Sequence, residues 1–192
     1  LKLFEDQVGK YLDIGAHHPD RFSNTRLLYD RGWSGVNVEA NLQLISYLKK
    51  KRPNDETICA CVGSKDSYEF TVFKEPALST ANKEWKNRLV DHKWEVDSEI
   101  LVKGITLFEL INKYFPNGDL ELLLVDAEGS DFEVIESGNF KSLPDSLLPT
   151  WILIETPTPV STALQQESIQ YLATFGYTPY FILPMSTILK KS

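Results

Sequence analysis

Short apolar runs alternate with longer amphipathic stretches along most of this chain. Residues 11–14, 36–39 and 57–62 read as strands, each closed by turn residues. Leu120–Val125 and residues 151–154 are apolar without interruption, as expected of central strands buried on both faces. Helical patterns lie between them. One starts near Ser23 or Asn24 and runs to Arg31, where Gly32 breaks it; the next is capped by Asn41 and stopped by Pro53. Residues 100–105 and a helix over 107–115 follow, then a helix through Ile135 and a last one over roughly 163–174. Strands near 177–183 and 187–189 close the pattern, while 68–73 alternate with period two and read as an inserted or edge strand. Strand–helix alternation of this kind predicts an α/β fold, a mostly parallel sheet with helices on both faces.

Residues 75–95 break the alternation. They carry Trp85, Trp94 and His92 and a mixed-charge helical stretch from Asn82 to about Asp91. Connections this long in compact domains often form lids or substrate loops; the other reading is a surface helix packing its Trp residues on the core.

Composition narrows the function classes. A chain of 192 residues that is 42% hydrophobic fits one domain with a full core. No apolar run approaches the ~20 residues of a membrane span, and the N-terminus has no signal-peptide pattern, so a cytoplasmic protein is expected. The first strand begins close to residue 1, which leaves room for a preceding helix or partner domain. A net charge of −7 argues against a nucleic-acid partner. The one basic cluster, Lys49-Lys50-Lys51-Arg52, falls at a helix C-terminus and reads as a solvated helix end. Cys59 and Cys61, two apart in one strand, would share a face, are poorly placed to bridge each other, and read as small reduced core residues.

Chemistry concentrates at the strand ends. Ligands of open α/β sheets bind beyond the carboxyl ends of the strands, where strand order reverses. The four clearest strands here end in acids: Asp13, Glu39, Asp126 and Glu155. Like charges gathered on one sheet edge repel unless a ligand or cation offsets them. The first turn, Asp13-Ile14-Gly15-Ala16-His17-His18-Pro19, lacks the Gly-x-Gly-x-x-Gly pattern, and its histidines and proline fill the space of a pyrophosphate. A nucleoside without phosphates fits better than NAD, which makes S-adenosylmethionine the expected cofactor. A nicotinamide-dependent dehydrogenase and a non-catalytic Rossmann-like binding module are the alternative readings.

These segments also resemble a family. The first turn, then Phe22-Ser23-Asn24-Thr25, Gly32-Trp33-Ser34-Gly35, Val38-Glu39-Ala40-Asn41 and the run from Leu124 through Asp126-Ala127-Glu128-Gly129-Ser130-Asp131 to Val134 are similar to the FkbM-type S-adenosylmethionine-dependent methyltransferases. The likeness extends from about Lys10 to Glu155, with His17 standing where many members carry Asn. It implies a class I (Rossmann-like) methyltransferase fold with a seven-stranded sheet; length and the break in alternation add the expectation of a single domain over 1–192 with a lid or insertion at 75–95. The likeness further implies O-methylation of a hydroxyl on a sugar or other small acceptor.

Residue roles follow as expectations. Gly15 and Ala16 allow close backbone approach, Asp13 orients the cofactor's amino group, and Glu39 binds both ribose hydroxyls with Ala40 and Asn41 near the adenine. Cys61 and Val62 flank the ring or are plain core; among Ser23, Asn24 and Thr25, one caps a helix and another meets the methionine carboxylate. Asp126 and Glu128 are the candidate bases. With Asp131 or Glu155 they could instead hold a divalent cation, yet Asp-x-Glu-Gly-x-Asp is shorter than the usual hard-cation loops, so no metal is expected. Glu128 and Asp131 have a second reading as caps of the next helix. Of the three histidines, His18 is the best placed, and Ser79 and Thr80 could reach the cofactor from above.

Overall fold

A computed structural model describes residues 2–4, 7–156 and 159–192. In chain order the elements are β1 Lys10–Ile14, α1 Arg26–Tyr29, β2 Ser34–Glu39, α2 Leu42–Lys51, β3 Glu56–Cys59, β4 Cys61–Val62, β5 Ser67–Phe73, α3 Lys83–Asp91, β6 Val96–Ile105, α4 Leu107–Tyr114, β7 Leu120–Val125, α5 Asp131–Glu136, β8 Trp151–Glu155, α6 Glu167–Ala173, β9 Tyr177–Ile182 and β10 Ser186–Lys191. Seven strands form one sheet in the order β3-β2-β1-β7-β8-β10-β9, in which β10 runs antiparallel to both neighbours. Strand order reverses between β1 and β7. That reversal opens the ligand crevice of such sheets.

The apolar run of β7 is explained by its two faces. Leu123 and Val125 pack with α4, α5 and α6 through Leu110, Ile111, Val134, Ile135, Ile169 and Leu172. Leu122 and Leu124 point the other way, against Phe4, Tyr11, Leu28, Trp33 and Trp151. Neither face meets water, so polar alternation has no role there. α4 is held at its start by a full capping box, Thr106 with Glu109.

Four expectations are corrected. The strand expected over 57–62 is broken at Ala60: β3 ends the main sheet, while β4 pairs with β6 in a separate three-stranded sheet, β4-β6-β5. Cys59 and Cys61 therefore lie in different sheets, and both are free. The first helix keeps only Arg26–Tyr29, because the residues before it run as a loop tied to buried side chains. The last helix divides into a 3-10 turn, Val160–Gln165, and α6. β6 begins at Val96, so residues 75–95 are the arm of an antiparallel β5–β6 pair. Among the described residues no helix is long and apolar enough to cross a membrane.

Candidate active site

A cleft of about 690 Å³ opens where strand order reverses. Ile14 and Gly15 at the end of β1, Glu39 and Ala40 at the end of β2, and Asp126 to Glu128 after β7 form its floor. The loop ahead of α1 contributes His17, Phe22, Ser23 and Asn24, and the inserted arm contributes Pro76, Ala77, Ser79 and Ala81. Glu155, Met185 and Ser186 complete the far end.

Glu39 is held in it by a backbone donor on each carboxylate oxygen. One carboxylate oxygen accepts from the His17 N–H at 2.8 Å and the other from the Asn41 N–H at 2.7 Å. Burial nonetheless raises its pKa above the ordinary range. A desolvated carboxylate fixed in this way has lone pairs free for hydroxyl donors. His17 holds a left-handed backbone, φ 50°, that turns its N–H toward Glu39. Its ring lies along Phe22, and its Nε2 is a buried atom with no partner among the described residues. Gly15, φ +79°, is required by the sheet itself, since a Cβ there would collide with the Asp126 carbonyl oxygen.

Of the expected cofactor residues, Gly15, Asn24, Glu39, Ala40, Cys61 and Val62 line the cleft. Four do not, which corrects their placement. Ala16 is buried, with its N–H on the Val38 carbonyl. Asn41 is buried and caps α2 through the Gln43 N–H. Asp13 lies on the opposite sheet face from Leu12 and Ile14, as the two-residue period of a strand demands. There its carboxylate accepts from Thr25 Oγ1 at 2.7 Å, so both residues sit behind the wall.

The residue behind that wall is Arg52, which the sequence reading placed in solvent. It is 1% exposed. Its guanidinium donates to Thr25 and Asn37 with one nitrogen and to the Pro19 carbonyl and Ser23 hydroxyl with the other. Asn37 and Tyr11 in turn donate to Asp55. A signal was present: Leu44, Leu48 and Arg52 recur every four residues, and both leucines are buried.

At the other end, oxygens of Asp126, Glu128 and Glu155 lie within 4.8 Å of one another. The set is compact enough for a divalent cation to bridge, although acids group in this way in proteins that bind none. Asn24 Nδ2 donates to Asp126 at 3.2 Å, and Trp85 Nε1 donates to Glu128 at 3.0 Å. Burial, and then the neighbouring acids, push Glu128 up to about 7 and Glu155 up to about 9. Asp131 is raised to about 6, chiefly by burial; its carboxylate accepts from the Ala127 N–H and does not line the cleft.

The remaining candidates are placed as follows. His18 accepts from the Asp20 and Arg21 N–H groups and shapes the turn. Ser79 faces the cleft, while Thr80 donates instead to the Glu128 carbonyl. The inserted arm is thus on the cleft side of the sheet. Trp85 meets Glu128 beside the cleft, whereas Trp94 is 48% exposed and His92 is an exposed helix cap, neither of them on the lining.

The fold and cleft define a Rossmann-like α/β protein with a buried carboxylate, Glu39, on one side of the cleft and an acid set across from it. The family model for the methyltransferase FkbM domain matches residues 13–178, and the chain belongs to that family. It is a methyltransferase by that membership. Among solved structures it is similar to a TehB-like SAM-dependent methyltransferase from Corynebacterium glutamicum, at 10% identity and a TM-score of 0.47, over 100% of this chain and 84% of that one. No curated protein matches it.

Proposed function

We infer that this chain is an S-adenosylmethionine-dependent O-methyltransferase whose acceptor is a hydroxyl of a sugar or another small molecule. The observation that carries the reading is Glu39, a buried carboxylate held by two backbone N–H groups and still open to the cleft. That pair of acceptor oxygens fits the two donating hydroxyls of a ribose diol. The cleft volume lies within the range of small-molecule sites, and the unpartnered His17 Nε2 is a further polar contact for the ligand. Gly15, Ala40, Cys61 and Val62 supply the remaining walls.

When bound, S-adenosylmethionine supplies an electrophilic methyl group. The chain's part is to hold the acceptor oxygen in line with it and to take the hydroxyl proton. Glu128, poised near pH 7, is suited to receive that proton. Glu155, pushed up to about 9, carries a proton at neutral pH and so has a donor to offer the acceptor beside the accepting Glu128. As the methyl group is transferred, Glu128 would keep the acceptor's hydroxyl proton on its carboxylate. The acceptor class extends to glycans, with no nucleic-acid partner and a cytoplasmic setting.

Calorimetry with S-adenosylhomocysteine and NAD side by side tests the cofactor. Binding of the former alone supports the reading, and binding of NAD alone overturns it. Tritium transfer from labelled S-adenosylmethionine to a panel of monosaccharides and polyols tests the acceptor class.

A further inference from the structure

The inserted arm does more than line the cleft. Residues 126–130 leave β7 in a cramped conformation, with Glu128 at φ 44° and Gly129 at φ +85°. A left-handed non-glycine residue followed by a second left-handed residue is disfavoured unless its surroundings hold it. The arm provides that hold. Thr80 Oγ1 donates to the Glu128 carbonyl at 2.8 Å, and Asn82 Nδ2 donates to the Gly129 carbonyl at 2.6 Å. Asn82 also caps α3 by accepting from the Trp85 N–H at 3.0 Å, which fixes where Trp85 emerges. The Trp85 side chain then lies over Gly129 so closely that a Cβ there would stand 3.1 Å from the Trp85 Cβ. Its Nε1 reaches Glu128 Oε2 at 3.0 Å.

We propose that Trp85 is a positioning residue for Glu128: its indole N–H fixes one carboxylate oxygen so that the other is presented to the acceptor. The inference rests on the reading of Glu128 as the base. It gives the arm a place in the chemistry without requiring any of its aromatic faces to touch the substrate. A hydrogen bond from an uncharged donor also favours the ionised carboxylate. The other groups facing Glu128 are all acids, Asp126 after β7, Asp131 of α5 and Glu155 of β8, so the indole is its one stabilising partner among the described residues.

The test uses the full chain. Trp85→Phe keeps a ring over Gly129 and removes the N–H. S-adenosylhomocysteine affinity should stay within about twofold, while transfer to the best acceptor of the monosaccharide panel falls about tenfold, the order of one hydrogen bond to a charged group. The acid limb of the pH–rate profile should move to higher pH, an effect that lost packing alone does not produce. A second measurement needs neither the variant's folding nor an acceptor. In 1H–15N spectra of the parent, one tryptophan indole signal should titrate with a midpoint near that of Glu128, about 7, and stop titrating in Glu128→Gln. An indole signal indifferent to Glu128→Gln overturns the positioning role even if that substitution abolishes transfer. Normal transfer by Glu128→Gln sinks the reading of Glu128 as base, and the proposal with it.

Discussion

Glu39 enters the cleft with one hydrogen bond already on each carboxylate oxygen, so a ligand meets a group that is oriented before it arrives. Preorganisation of this kind lowers the ordering cost of binding. Glu39→Ala should weaken S-adenosylhomocysteine by roughly 2–3 kcal/mol in calorimetry, the value of two charge-assisted hydrogen bonds. Parent-like binding by this variant would remove the ribose assignment. Glu39 ends β2 and lines the cleft, and its place at a strand end was legible in the sequence. The sequence could not name the N–H groups of His17 and Asn41 as its partners, because the first comes from a left-handed residue 22 positions earlier.

At the scale of elements, α2 and α4 show different dependences. α4 is fastened locally: Thr106 and Glu109 satisfy each other's backbone donors. Thr106→Ala should cost about 1 kcal/mol in urea unfolding and leave S-adenosylhomocysteine affinity unchanged. Just past the end of α2, Arg52 is fastened globally, and it ties the loop that carries Phe22, Ser23 and Asn24 to Thr25 and Asn37. Arg52→Met removes the donor from Thr25 Oγ1, Asn37 Oδ1, the Pro19 carbonyl and the Ser23 hydroxyl, a loss of about 1–3 kcal/mol for each acceptor left buried and unpaired. The loop should loosen with it, so S-adenosylhomocysteine affinity should fall as well. An unchanged urea midpoint would show that this network does not hold the loop.

Across the whole molecule, buried acids set the response to pH. Asp13 and Asp131 are raised to about 6, Glu128 to about 7 and Glu155 to about 9, with burial the first cause of each. The folded state therefore holds protons that the unfolded state has released. Their stabilising effect is complete below the ordinary carboxylate range and is lost as pH rises through the folded values. Thermal midpoints should fall from about pH 5 to about pH 9. Glu155→Gln, neutral at every pH, should flatten that decline and raise stability at pH 8 by about 1–3 kcal/mol, less than the full linkage because the cleft admits water. A pH profile identical to the parent's would show that Glu155 ionises normally. Acids held at such a cost fit a site shaped by function.

The sequence by itself determined the alternation of strand and helix, the buried strands and the acids at their ends, because these follow from local periodicity and from where a strand stops. It also determined the family, whose model matches residues 13–178. Only the tertiary structure decided which of those residues face the cleft. Asp13 and Ile14 are adjacent, yet the pleat sends one behind the sheet and the other into the cleft. Arg52 differs from the lysines before it by falling on the helix stripe that turns inward, where Thr25, Asn37 and Ser23 converge from distant positions. Trp85 reaches Glu128 across 43 positions because the arm joining the antiparallel β5 and β6 is bonded to the segment after β7 through Thr80 and Asn82. Contacts of that kind depend on the register of whole elements, which no local pattern encodes.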